Sequence, residues 1–447
     1  MKTIAAVSTP PAAGGIAMIR ISGDEAIDIA ARVFHPYHDT KITEMRGYTC
    51  VYGEVRQGDE RLDDGILTVY RAPHSYTGED VVEITCHGGI YLTKRVLRLL
   101  FEQGASPAEA GEFTRRAFMN GKLSLTQAES VMDIISADGA AALRQANLAR
   151  EGILGKQMLE VSAGLIELLS AMTYWMDDAE EFPPELEPER VRKVIRGMHE
   201  KLNGLIENYE NGRVLREGIR TVLLGLPNAG KSSVMNWLCG TDRSIVTEIA
   251  GTTRDIITEQ VRVGDYTLLL SDTAGIRETE NPIEAIGIEQ VYRALNSADL
   301  ILYVVDAQFG LTEGDLTILE KCSSTKRLIL WNKTDTSESD PPQLDLPVLK
   351  CAAIHESGHE KLENALKELF GNLSPSTPVL LNERQRQLAI DADTYISTAL
   401  KDLDSGAELD MIAVQLEFAV QKLREIEGGD VSEDVINGVF SRFCVGK

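Results

Sequence analysis

Gly225-Leu226-Pro227-Asn228-Ala229-Gly230-Lys231-Ser232 fits the phosphate-binding pattern G-x-x-x-x-G-K-[ST] at every fixed position. Glycines at that spacing let a backbone curl until its N–H groups converge on phosphate oxygens. The start of the following helix favours the same negative charge. Lys231 is placed to reach the outer phosphates, and the Ser232 hydroxyl to hold Mg2+; Ser233 continues the loop into the helix. Further on, Asp272-Thr273-Ala274-Gly275 offers a carboxylate that can meet Mg2+ through water and a glycine N–H for the terminal phosphate. Between the two, Gly251-Thr252-Thr253-Arg254-Asp255 places a hydroxyl, Thr253, where a second Mg2+ ligand belongs. Asn332-Lys333-Thr334-Asp335 then supplies a carboxylate that accepts both N–H groups of a guanine edge, which adenine does not offer. In this order the motifs describe a GTPase of the translation-factor class.

Each motif needs an element to hold it. The apolar run Thr221–Leu224 reads as a buried strand before the glycine loop, and Ser233–Leu238 as the helix after it. Further strands are expected at Tyr266–Leu270, Leu300–Val305, Arg327–Trp331 and Pro347–Cys351, alternating with helices over residues 217–375. Such alternation gives a mostly parallel sheet covered on both faces. One position departs from many small GTPases. Ile276 stands where a glutamine orients the attacking water, and it cannot hydrogen-bond. Arg277, Glu278, Glu280 and Glu284 follow as candidates for that role, unless the protein is a slow switch.

Residues 1–118 mix strands (Ile16–Ile21, Gly65–Tyr70, Val81–Thr85) with helices (Ala26–Phe34, Tyr91–Phe101), an α+β module. Arg20 and Glu83 lie within apolar strands, where a charge needs a partner, each other or a ligand. His87-Gly88-Gly89 reads as a turn after the strand, either a ligand turn or a plain one. Residues 119–216 are helical, with spans at Ser124–Ala149, Ile153–Trp175 and Glu189–Tyr209, and residues 376–447 are helical again. The last helices make a thin core alone. The economical arrangement packs them on the earlier helices, so that the GTPase domain (217–375) is inserted in one all-α domain; the alternative is beads on a string. The 447 residues carry no apolar run of membrane-spanning length and no secretory signal, so a cytoplasmic location is expected. The six cysteines show no C-x-x-C spacing, which argues against a zinc site or disulfide framework. The formal net charge of −24 is unlike that of a protein gripping nucleic acid alone. It reflects either simple solubility or a partner that supplies the basic surface.

Taken together, the chain resembles the tRNA modification GTPase MnmE (TrmE) family along its whole length. The resemblance rests on Ile16–Gly23, Tyr76–Glu83 leading to His87-Gly88-Gly89, and Gly111–Leu123. In the GTPase part it rests on Gly225–Ser233, Thr247-Glu248-Ile249-Ala250-Gly251-Thr252-Thr253-Arg254-Asp255 and Asp272–Arg277, and at the end on Phe443-Cys444-Val445-Gly446-Lys447. It implies a multidomain protein: an α+β folate-binding and dimerisation module, an all-α domain, and a Ras-like GTPase domain inserted in that domain. Family positions that contact folate fall on Arg20, Glu83, Lys122 and Lys447, which favours a ligand over an internal ion pair for the first two. The GTPase domains of the family dimerise across K+; by position Asn228, Thr247, Ile249 and Thr252 would hold it. The water-orienting glutamate falls on Glu284, and Arg277 matches a switch residue. Cys444 is either a catalytic thiol or structural. Guanine contact falls on the Ala352 N–H, although Cys351-Ala352-Ala353 replaces the usual Ser-Ala-Lys. The activity implied is addition of an aminomethyl or carboxymethylaminomethyl group at C5 of the wobble uridine of tRNA. The one-carbon unit would come from 5,10-methylene- or 5-formyl-tetrahydrofolate, and the protein would act as a homodimer with MnmG (GidA) in a heterotetramer. A ribosome-linked GTP switch and a folate transferase with a degenerate GTPase domain are the competing readings. The first lacks an RNA-binding domain here, and the second is at odds with intact phosphate motifs.

Overall fold

In β2 (Gly14–Ser22) burial alternates: Ala17, Ile19 and Ile21 are buried, with Arg20 on the opposite face. A period of two produces a sheet with one apolar face, and the rest of the N-terminal region is built on it. The computed structural model describes residues 2–137, 139–178, 183–240, 258–271, 298–337, 339–353, 358–370 and 379–447. Among these, β1 (Ile4–Val7), β2, β3 (Phe34–Pro36), β4 (Thr49–Gln57), β5 (Glu60–Tyr70), β6 (Val81–Gly88) and β7 (Ser106–Pro107) form a seven-stranded sheet. Its order is β3-β4-β5-β6-β2-β1-β7. Helices Ala26–Val33 and Ile90–Glu102 cover one face, packing Ile29, Val33, Val96 and Leu100 on Ile19, Ile21, Leu67 and Ile84. His87 and Gly88 do not form the expected turn but end β6. A Cβ on Gly88 would meet the Gly14 carbonyl at 2.5 Å, so glycine serves the close approach of two strands there.

The chain divides into two compact units: Met1–Met132 with Ala149–Pro183 and Gly406–Lys447, and Asp133–Leu148 with Pro184–Ser405. In the first, helix Ile153–Asp178 packs with helix Leu409–Glu427. The C-terminal residues close on the N-terminal module: Val445 bridges Ala110, the Phe113 N–H donates to the Lys447 carbonyl (3.2 Å), and Ser8 Oγ donates to the Gly446 carbonyl (3.0 Å).

In the second unit, helix Pro188–Glu207 packs with helix Glu383–Asp404, burying Val191, Ile195 and Leu202 on the one and Ala389, Ala392, Ile396 and Ala399 on the other. Arg192 Nε donates to Asp404 Oδ1 at 2.8 Å, and His199 Nδ1 lies 2.7 Å from Asp393 Oδ1. The chain between these helices carries the second sheet: β8 (Ile219–Leu224), β9 (Thr258–Val263), β10 (Tyr266–Ser271), β11 (Leu300–Asp306), β12 (Lys326–Asn332) and β13 (Val348–Lys350), ordered β13-β12-β11-β8-β10-β9. All of its pairings are parallel except β9 with β10. The apolar runs are continuous because both faces are covered. Leu223, Leu302, Val304 and Leu330 face helices Lys231–Gly240 and His359–Phe370, while Val222, Tyr303, Val305 and Trp331 face helix Glu313–Lys321. No helix among the described residues is long and apolar enough to cross a membrane.

Candidate functional site

β8 lies at the point where strand order reverses, with β9 and β10 on one side and β11 to β13 on the other. In an open parallel sheet that is where ligands bind, beyond the C-terminal strand ends. The glycine loop opens there. A Cβ on Gly225 (φ +146°) would meet the Val304 carbonyl at 2.3 Å, and one on Gly230 (φ +99°) would meet Asn332 Nδ2 at 2.2 Å. Both positions therefore require glycine, for room as much as for backbone freedom. Asn228 also adopts φ +66°. The result is a bare backbone cradle at the N-terminus of helix Lys231–Gly240, the arrangement a polyphosphate needs.

Lys231 Nζ donates to the carbonyls of Gly225 (2.8 Å) and Leu226 (3.0 Å), and burial lowers its pKa below the ordinary lysine value. Ser232 is exposed, and Ser233 is half-buried in the first turn of the helix.

The guanine-type loop follows β12 and is fastened to this cradle. Asn332, 2% exposed, donates from Nδ2 to the Ala229 carbonyl (3.0 Å) and accepts at Oδ1 from the Ala353 N–H (3.2 Å). Lys333 Nζ donates to the Asn228 carbonyl (3.0 Å) and pairs with Asp306 (2.6 Å). Asp335 is exposed, and the Ala352 N–H makes no hydrogen bond to the described residues; both are available to a base. Beside them Cys351 is buried, its thiol pushed up to about 12, so it acts as packing and not as a reactive group. Asp306 was absent from the sequence reading. Its signal was a lone carboxylate closing a strand of six apolar residues.

Thr247, Glu248, Ile249, Ala250, Gly251, Thr252, Thr253, Asp272, Thr273, Ala274, Gly275, Ile276, Arg277, Glu278, Glu280 and Glu284 lie outside the described residues.

The second candidate site is on the N-terminal sheet. Arg20 and Glu83 are direct partners on β2 and β6. Arg20 Nε and Nη2 both reach Glu83 Oε1 (2.8 and 2.7 Å), and Tyr70 OH donates to Oε2 at 3.2 Å. Thus the internal ion pair is present. The guanidinium also lies over the Tyr76 and Phe113 rings, 5.6 and 5.7 Å from their centroids. Phe113 is the residue whose N–H holds the Lys447 carbonyl, which brings the C-terminal segment to this site. Lys122 is exposed, with Nζ donating to the Pro73 carbonyl at 3.1 Å. Cys444 is exposed, and its carbonyl accepts from the Gly111 N–H at 3.4 Å.

Comparison with known families matches residues 3–122 to the N-terminus of the GTP-binding protein TrmE and residues 125–444 to the MnmE helical domain. A tRNA modification GTPase MnmE of Acetivibrio thermocellus is 41% identical over 456 residues, covering 100% of this chain and 99% of that protein. Those of Thermoanaerobacter pseudethanolicus and Moorella thermoacetica are 38% and 39% identical, again over 100% of this chain and 99% of each relative. Among solved structures, the G domain of the T. maritima FeoB iron transporter is 23% identical over 33% of this chain and 96% of its own, with a TM-score of 0.26, too low to add weight. The match over both family models and the full length of these relatives places the chain among the tRNA modification GTPases of the MnmE family, as a GTP hydrolase.

Proposed function

We propose that the protein hydrolyses GTP in a K+-stimulated reaction that drives modification of tRNA at C5 of the wobble uridine. The group added is aminomethyl or carboxymethylaminomethyl. The one-carbon unit comes from 5,10-methylene- or 5-formyl-tetrahydrofolate bound at Arg20, Glu83, Lys122 and Lys447. The protein works in the cytoplasm as a homodimer with MnmG (GidA). Its domains are 1–118 for folate and dimerisation, 119–216 and 376–447 for the two parts of the helical domain, and 217–375 for the GTPase. The observation that carries this reading is full-length similarity to the family together with a glycine cradle fastened to a guanine-type loop.

In this reading Gly225 and Gly230 keep the loop backbone bare, so that its N–H groups face the phosphates. Lys231 exchanges the Gly225 and Leu226 carbonyls for the outer phosphates. Asp335 accepts the N–H pair of guanine, and the Ala352 N–H meets its carbonyl. Ser232 and Thr253 hold Mg2+; Asn228, Thr247, Ile249 and Thr252 hold K+. Both cations, when bound, offset the charge that builds up on the phosphates. Glu284 orients the attacking water, which Ile276 cannot, and Arg277 passes the nucleotide state onward. Cys444 is exposed and its backbone carbonyl holds the Gly111 N–H; its thiol is either a catalytic or a structural group.

The test pairs two measurements. Hydrolysis should be about tenfold or more faster in K+ than in Na+, and about a hundredfold slower in Glu284→Ala. Mass spectrometry of tRNA nucleosides should show the modified wobble uridine lost when the gene is deleted. Normal wobble uridine in the deletion strain would reject the reading.

A further inference from the structure

We infer that Asp306 is a positioning residue of the GTP site: through Lys333 it fixes the phosphate loop at Asn228, so that grip on the base and grip on the phosphates are coupled. Asp306 closes β11 and is 8% exposed, where a carboxylate needs partners. One oxygen pairs with Lys333 Nζ at 2.6 Å and the other accepts the Gln308 N–H at 2.9 Å. The same Lys333 ammonium donates to the Asn228 carbonyl at 3.0 Å. Lys333 and Asn228 both adopt left-handed backbone, φ +65° and +66°. L-residues adopt that conformation at a cost, and it persists where the surroundings over-determine it. One ammonium therefore joins the two strained residues, one from each ligand loop, and Asp306 sets where that ammonium sits. The neighbouring contact, Asn332 to the Ala229 carbonyl, ties the same two loops one residue further along. Removing the Asp306 charge leaves Lys333 free to follow solvent and releases Asn228.

The inference rests on reading residues 225–232 and 332–335 as the GTP site. The experiment follows release of a fluorescent GDP analogue from full-length protein by stopped flow. Asp306→Asn is expected to release it about tenfold faster, the loss of a charge-assisted hydrogen bond. Lys333→Met should do the same, and the double variant should be no faster than either single one, because both substitutions cut one tether. The preference for guanine over xanthine nucleotides, a property of Asp335, should not move. A merely structural Asp306 would lower the melting temperature and give multiplying effects in the double variant. Parent-like release from Asp306→Asn, or multiplied effects in the double variant, overturns the inference. If Asp306→Asn does not fold, Lys333→Met decides alone, since parent-like release there removes the tether from the argument. Asp335→Asn is the control. An amide in place of the carboxylate donates to the extra carbonyl of xanthine, so preference should switch to xanthine nucleotides. Failure of that switch counts against the site assignment and not against the tether.

Discussion

Arg20 and Glu83 satisfy one another across β2 and β6, with side chains 15% and 13% exposed, so the pair is desolvated enough for each charge to depend on its partner. Glu83→Leu should lower the protection of the β2 and β6 amides by about 2 kcal/mol in hydrogen exchange, at the low end because some solvent still reaches the guanidinium. Arg20→Met combined with Glu83→Leu should recover most of that loss; a double variant as weak as the sum of the singles would argue against the pairing. Both residues were legible in the sequence as charges out of place in apolar strands. That they face each other was not, because register between strands 63 positions apart is set by tertiary pairing. The glycine cradle was fully legible, since its residue types and spacing are the structure. Asp306 was not. A polar residue at the end of a strand reads as a terminator, and only the fold places it under Lys333.

Helix Glu383–Asp404 meets helix Pro188–Glu207 through small residues, with Ala389, Ala392 and Ala399 fully buried around Ile396. Close approach of this kind leaves no room for a larger side chain. Ala392→Leu should cost about 1–3 kcal/mol, read as a fall in melting temperature, whereas a leucine at exposed Thr394 of the same helix should be nearly neutral. Equal effects at both positions would sink the packing argument. Strands with continuous apolar runs, such as β11 and β12, were placed within a residue or two by sequence. β1, β3, β4, β7 and β9 were missed. β4 contains Gly53, Glu54 and Arg56, and β9 alternates polar with apolar residues at a sheet edge, so neither shows an apolar run. The single helix expected over 124–149 is two, Leu125–Ser136 and Ala140–Arg150, with Gly139 near the break. Glycine costs a helix interior about 1 kcal/mol relative to alanine, enough to place an end where another element requires one.

A chain carrying a formal net charge of −24 approaches tRNA against its own field. The protein alone should therefore bind tRNA with a shallow salt dependence, a slope smaller than about 3 in log–log form, that steepens when a basic partner is added. A steep slope for the protein alone, measured by fluorescence anisotropy over a salt series, would reveal a phosphate-contacting surface that the composition conceals. At this scale insertion of the sheet between helices was legible from the order of textures along the chain, while the choice of which helices pair was not. The pairing has a mechanical meaning. Polypeptide enters the nucleotide-binding part from helix Pro188–Glu207, by way of helix Tyr209–Glu217, and leaves it into helix Glu383–Asp404, and the first and last of these lie side by side. Both ends of that part are thus anchored on one packed pair, twin rails and not a single leash.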